Sequence, residues 1–598
     1  MAMSAPAIVC LSQAGLETAR RLGDALPEAR IHGLKGRVPQ ADIMFEQTAD
    51  HLRALFAAGT PIVGVCAAGI LIRALAPRLE DKRVESPVVA VAADGAVAVP
   101  LLGGHHGANE LARRLARALG GRAAITTAGD LTLGFALDEP PPGYRLANPE
   151  AAKAVMAGLL AGELVALKAE AGATGWLTAG RATFADNAAL AIRLTAQACP
   201  GHDNELVIHA AVLALGVGCE RGAAPAELMA LAEETLATHG LAREAIACVA
   251  SLDVKADETA VHALAESLGV PARFFDSATL ENETPRLENP SDAVFAAVGC
   301  HGVAEGAALA AGGGEARLIV PKTKSQRATC AIAQAPGVID AATVGRPRGR
   351  LAVVGIGPGS DAWRSPEASA LIADATDLVG YGLYLDLLGP LAARKTRHDY
   401  DLGDEEKRVR AALDLAAQGR HVALISSGDA GIYAMASLVF ERLDVENQAA
   451  WNRIEITVAP GISALQAAAA RAGAPLGHDF CAISLSDLLT PWEVIERRLK
   501  AAAEGDFVVA LYNPVSARRR KALPRAREIL LAHRPPETPV ILARNLGRDG
   551  ETVRSIELAA LEADDVDMLS VVIVGSSRTR NGGGWVYTPR GYGDRESS

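Results

Sequence analysis

Gly355, Gly357, Pro358 and Gly359 close an apolar, β-branched run in LAVVGIGPGS at residues 351–360. A buried strand that breaks into so tight a loop brings its backbone close to something, and a small-molecule site is the first chemistry to consider. The spacing invites a dinucleotide. Such a loop needs a third glycine in the following helix and free N–H groups facing the pyrophosphate. Here Ser360 holds that position, and Pro358 removes a donor and biases Gly357 away from helical geometry. No GK[ST] follows, which excludes the usual phosphate loop. An oxidoreductase with NAD at 355–359 stays as a rival reading, beside a plain strand-to-helix turn.

Five more loops of small and polar residues end apolar runs in the same part of the chain: ISSGDAGIY at 425–433, APGISA at 459–464, ISLSD at 483–487, LYNP at 511–514 and ARN at 543–545. In open parallel sheets the ligand lies beyond the carboxyl ends of the strands, so the set points to one site more strongly than any member does. Asp429, after a glycine, is either a ligand contact or a turn former. Tyr433 and Asp487 are the candidates for proton transfer, although no His or carboxylate stands out by spacing. The basic run Arg518, Arg519, Arg520, Lys521, Arg525 and Arg527 is either a clamp for carboxylates or a solvated helix face.

Earlier in the chain, His105, His106 and Asn109 sit in a glycine-rich loop ahead of a helical pattern. An imidazole there could act as a general base while backbone N–H groups hold an oxyanion. The same residue types are common helix caps, and HHGAN lacks the HExxH arrangement of a zinc protease, so no metal is expected. Cys219 in GVGCERG is a nucleophile or a buried structural thiol. His301 in GCHGVAE is equally ambiguous.

These residues need a scaffold of several domains, because 598 residues exceed what one core accommodates. Half of the residues are hydrophobic and only 4% aromatic, the usage of an α/β interior of Ala, Val, Leu and Ile. A net charge of -11 argues against nucleic acid as partner. No apolar run approaches the roughly 18 residues of a membrane span. The apolar stretch near the N-terminus has no basic segment ahead of it and reads as a first strand rather than a targeting signal. Eight scattered cysteines without CxxC fit reduced thiols in a cytoplasm. Composition divides the chain into an α/β region at 1–130, a middle region at 131–203, a second α/β region at 204–336, a linker at 337–349 and a final region at 350–598. Strands are expected at 7–11, 61–65, 88–92, 206–215, 246–251 and 318–320. In the final region they are expected around 353 and at 377–381, 421–426, 455–458, 507–512, 539–543 and 570–574.

The ordered motifs GIGPG at 355–359, SSGDAGIYAMA at 426–436, APGISALQAAAARAGAPLGHDF at 459–480, ISLSDLLTPW at 483–492 and LYNPVSARR at 511–519 resemble the tetrapyrrole methyltransferases, and among them the precorrin-3B C17-methyltransferases. The resemblance covers 349–580. It implies a two-domain methyltransferase fold with S-adenosylmethionine in the interdomain cleft. It also implies methylation at C17 of a macrocycle bearing several carboxylates, with ring contraction, extrusion of C20 and an acetyl group at C1. By the same resemblance Gly428, Asp429 and Ile432 lie in the loop that holds the cofactor. Ser463, Ala464, Tyr512 and Ala543 are further cofactor contacts, Pro358 and Gly359 face the macrocycle, and a homodimer forms through this region. A sulfonium methyl group is already activated, so the protein's task is to align the ring carbon with the sulfur–methyl bond and to exclude water.

Residues 7–335 resemble the cobalt-precorrin-5A hydrolase family through GVCAAGILIRALAPRLEDK at 64–82, VAADGAVAVPLLGGHHGANELA at 91–112, ITTAGD at 125–130, LGVGCERGAAPAEL at 215–228, SLDVKADE at 251–258, GVAEGAAL at 302–309 and LIVPKTKSQRATCAIA at 318–333. The fold class implied is thus an α/β multidomain chain, with hydrolase-type domains preceding the methyltransferase. The family opens a lactone on the contracted macrocycle and releases acetaldehyde. The part at 204–336 also resembles a standalone protein of the oxygen-dependent pathway, which leaves a noncatalytic tetrapyrrole carrier as the alternative. The methyltransferase half points to metal-free precorrin-3B, and the hydrolase-like half to a cobalt-bearing substrate.

Overall fold

The computed structural model describes residues 5–26, 29–79, 85–127, 132–393, 395–516 and 519–592; the side chain of His105 lies outside the described set. The chain forms two compact units. One comprises Met1–Arg350, Leu415–Arg420 and Gln448–Glu455, the other Leu351–Asp414, His421–Asn447 and Ile456–Ser598.

Among its described residues the first unit holds three sheets. The most N-terminal has seven strands in the order Ile43–Phe45, Arg30–Leu34, Ala7–Cys10, Ile62–Val65, Val88–Val91, Val97–Leu102 and Arg122–Ala123. Its first five are parallel, and Val97–Leu102 runs against them. The helix Ala108–Leu119 packs there because Leu111, Ala112, Leu115, Ala116 and Leu119 fall on one buried face, and Gly120 at φ 69° ends it. The second sheet orders Tyr144–Leu146, Glu205–Ala210, Leu190–Thr195 and Val165–Ala169; the third orders Ala272–Phe275, Ile246–Leu252, Leu213–Cys219, Ala328–Gln334 and Arg317–Lys324.

One expectation is corrected here. Residues 206–215 are not a single strand, because Glu205–Ala210 pairs with Leu190–Thr195 whereas Leu213–Cys219 pairs with Ile246–Leu252. A boundary at 203/204 therefore falls ahead of a strand of the middle sheet. The run has no Gly, Pro or Asn at the crossing, since Ala211 and Val212 are themselves buried.

In the second unit the first sheet orders Thr396–Tyr400, Asp377–Tyr381, His421–Ser426, Arg350–Gly355 and Glu455–Ala459. The second orders Phe480–Ser484, Val508–Tyr512, Ser570–Val574, Pro539–Arg544 and Thr552–Glu557. Ser570–Val574 is antiparallel to both Val508–Tyr512 and Pro539–Arg544, and Phe480–Ser484 is parallel to Val508–Tyr512. The loops after Ser484, Tyr512 and Arg544 thus leave the same edge of the sheet, as expected from their composition.

Candidate active site

Three backbone loops lock together at the end of the first sheet of the second unit. Gly357 N–H donates to the Gly428 carbonyl at 3.1 Å, Gly428 N–H donates back to Gly357 at 2.8 Å, and Ile356 N–H donates to Ser426 at 2.9 Å. Asp429 joins the third loop: one carboxylate oxygen accepts from Gly431 N–H at 2.8 Å and the other from Gly461 N–H at 3.0 Å. At Gly461 the backbone leaves no room for a side chain, since a Cβ would lie 2.1 Å from the Gly428 carbonyl oxygen and 2.8 Å from that of Gly355.

The second sheet adds Tyr512, whose hydroxyl accepts from Leu465 N–H at 3.1 Å at the start of the helix Ala464–Ala472. Ser463 caps that helix in a reciprocal pair with Gln466. Tyr433, at φ 51°, donates its hydroxyl to the Ala482 carbonyl at 2.9 Å and stands 5.2 Å from the Tyr512 ring. Burial pushes both phenols up, so both are protonated near neutrality. Gly428, at φ 70°, lies against the start of the next helix, since a Cβ there would meet Ser463 Cα at 3.9 Å and Ala464 N at 4.0 Å, ordinary contact distances. Gly428, Asp429, Ile432, Ser463, Ala464, Tyr433 and Tyr512 are thereby brought together. Ala543 sits apart from open surface: it is 1% exposed, in a central strand between Val553 and Val571.

The glycine-proline loop meets a residue the sequence did not mark. Arg548 donates through Nε to the Pro358 carbonyl at 2.8 Å and through Nη2 to Ser427 Oγ at 2.9 Å, and lies 5.9 Å from the centroid of the Tyr384 ring. Gly359, at φ 153°, fits because a Cβ would strike Arg548 Cγ at 2.5 Å. The only signal for Arg548 is its place four residues beyond the strand Pro539–Arg544. No helix starts directly on this loop; the next is Pro366–Asp374, after a short turn at Asp361–Trp363. The arrangement that a pyrophosphate requires is therefore missing from the described residues.

Asp487 is half-exposed and accepts from Arg519 Nη1 at 3.4 Å, while Arg519 Nη2 donates to the Asn513 carbonyl at 2.9 Å. Of the basic run, Arg518 lies outside the described residues. Arg520 pairs with Asp564, Arg525 with Glu496 at 2.6 Å and Glu528 at 3.0 Å, and Arg527 with Glu562. Arg519, Arg520, Arg525 and Arg527 are thus ion-paired within their own domain.

In the N-terminal sheet, His106 ends the turn Gly104–His106, and Asn109 is buried with its amide donating to Thr127 Oγ1 at 3.2 Å. This turn follows Leu102, which pairs with Val88 at the amino end of its strand. A cavity of about 630 Å³ lies at the opposite, carboxyl edge, lined by Ser12, Arg37, Thr48, Cys66 and Ala92 among others. The sheet therefore holds the His106 turn and the cavity at opposite edges. Burial raises the Cys219 thiol despite Lys255, Arg221 and Arg327 nearby, which suits a structural thiol better than a nucleophile. His301 Nδ1 is 2.9 Å from Glu281 and its ring stacks on Phe295 at 4.4 Å.

Residues 350–562 match the tetrapyrrole (corrin/porphyrin) methylases, residues 213–333 the cobalamin synthesis G C-terminus, and residues 50–130 the cobalamin synthesis G N-terminal region. A precorrin-3B C(17)-methyltransferase of a Sinorhizobium species is 46% identical over 249 residues, 41% of this chain and 97% of that protein. A probable cobalt-factor III C(17)-methyltransferase of Salmonella typhimurium is 45% identical over 242 residues, 40% of this chain and 99% of that protein. The cobalamin biosynthesis protein CobIJ of Mycobacterium bovis is 45% identical over 256 residues, 41% of this chain and 48% of that protein, so the chain spans about half the length of this relative.

Proposed function

The chain belongs to the tetrapyrrole methylase family through residues 350–562, and from that premise we propose that it methylates C17 of precorrin-3B with ring contraction in cobalamin biosynthesis, using S-adenosylmethionine. The observation that carries this reading is the junction of the 355–359, 426–433 and 459–464 loops through the Gly357–Gly428 pair and the two Asp429 bonds. The residues suit the cofactor. The loop 426–433 abuts Ser463 and Ala464 and leaves Ile432 and Tyr433 exposed at its end, so it offers an apolar surface beside backbone groups, as a nucleoside needs. When bound, the cofactor supplies a methyl group on a sulfonium, ready for transfer. The chain's own part is to fix the 426–433 loop through Asp429, to hold Tyr433 and Tyr512 as a protonated wall, and to present Pro358 and Gly359 to the macrocycle.

A second reading, methylation of a cobalt-bearing macrocycle, is favoured by the cobalt-factor III relative, which is nearly as similar as the precorrin-3B one. For residues 1–336 the proposal is lactone opening, with a tetrapyrrole carrier as its alternative. A homodimer through the methylase region and a cytoplasmic location complete the reading. The test incubates the full chain with S-adenosylmethionine and either precorrin-3B or its cobalt counterpart, then weighs the products and assays acetaldehyde. Conversion of only the metal-free macrocycle supports the first reading, and conversion of only the cobalt form supports the second. Because Arg520 and Arg525 are paired with acidic partners, Arg520→Gln and Arg525→Gln are expected to change the KM for the macrocycle by no more than about twofold.

A further inference from the structure

A buried cation without a counter-charge is costly, since nothing offsets its lost hydration. Arg548, half-buried, bears part of that cost. Both of its hydrogen-bond acceptors, the Pro358 carbonyl and the Ser427 hydroxyl, are neutral, and no carboxylate pairs with it among the described residues. Burial lowers its guanidinium below the usual range, with only the Tyr384 phenol opposing. A guanidinium has five N–H donors, of which two are used here. None of its nitrogens is sealed from solvent without a partner, so the remaining donors are open to a ligand.

The surrounding backbone is cut to fit this side chain. Gly359 leaves the space that Arg548 Cγ occupies, and at Gly547 a Cβ would lie 3.1 Å from Ser360 N. The glycine-proline loop and the 545–550 loop thus form one surface with the guanidinium in it. The more obvious cations, Arg519, Arg520, Arg525 and Arg527, are already paired with Asp487, Asp564, Glu496 and Glu562. We propose that Arg548 receives a side-chain carboxylate of the tetrapyrrole at the glycine-proline loop. This rests on reading the cleft as a tetrapyrrole methylase site. A planar guanidinium held from two sides is suited to a bidentate carboxylate.

The test measures binding of uroporphyrin, an octacarboxylate macrocycle, to the full chain by fluorescence, with S-adenosylhomocysteine binding by calorimetry as the control. Arg548→Gln keeps a donor for the Pro358 carbonyl but removes the charge, and Arg548→Lys keeps the charge. Arg548→Gln is expected to weaken uroporphyrin about 10- to 100-fold, Arg548→Lys less than about tenfold, and neither is expected to move S-adenosylhomocysteine by more than about twofold. Unchanged uroporphyrin affinity in Arg548→Gln would overturn the assignment. Parallel loss of both ligands would also overturn it, by showing that Arg548 only positions the loop. Wild-type protein that binds neither ligand would instead bring down the underlying reading of the cleft.

Discussion

Gly461→Ala is expected to lower kcat/KM for methyl transfer by about 100-fold or more, with a loss of stability of about 2 kcal/mol. The added methyl would sit 2.1 Å from the Gly428 carbonyl oxygen and 2.8 Å from that of Gly355. Both obstacles are backbone, so no side chain can swing aside. Relief requires the 459–464 loop to withdraw, which breaks the Gly461 N–H bond to Asp429 and parts Gly428 from Ser463. Steady-state kinetics and a thermal melt on the same variant separate the two effects. Wild-type kcat/KM with unchanged cofactor affinity would show that the three loops need not be joined.

Glu305→Ala is expected to destabilise the first unit by about 4 kcal/mol. Glu305 is 1% exposed and accepts from Glu288 N–H at 2.9 Å, Asn289 N–H at 3.0 Å, Lys322 N–H at 2.8 Å and the Asn289 side-chain amide at 2.8 Å. From the first turn of the helix Val303–Gly312 it holds three backbone donors that its removal strands, two at Glu288 and Asn289 and one at Lys322 within the strand Arg317–Lys324. Burial alone would raise the carboxyl pKa, but these donors outweigh it and the net shift is downward. A depressed carboxyl stabilises the fold above its unfolded pKa and loses that contribution as pH falls through its folded one. The stability gap between wild type and Glu305→Ala should therefore be full at neutral pH and shrink below about pH 4. Chemical denaturation at several pH values measures this, and a gap that does not depend on pH would contradict the assigned role.

Much of this was legible in the sequence, for a physical reason. Buried strands such as Asp377–Tyr381, His421–Ser426 and Ser570–Val574 are apolar runs bounded by turn residues, and their chain positions agree with expectation. The strand Thr396–Tyr400, TRHDY, escaped because it is an edge strand with largely exposed polar side chains and no alternation to detect. The crossing at Ala211 and Val212 escaped because buried residues on both sides erased the punctuation. Asp429 was a ligand contact or a turn former on sequence, and its bonds to Gly431 and Gly461 now give it a loop-holding role that the cofactor reading must share. Arg548 left no trace, since its partners are a carbonyl and a hydroxyl about 190 and 121 residues away. Long-range pairing of that kind has no period in the chain.

The central claim is that the joined loops form a methyl-transfer site for a tetrapyrrole. It is tested most directly by a single-turnover incubation of the full chain with S-adenosylmethionine isotopically labelled in its methyl group and precorrin-3B, with the label then located in the product by carbon NMR. The label is predicted on ring carbon C17. Label that stays in the cofactor, or that appears at another ring carbon, would contradict the claim.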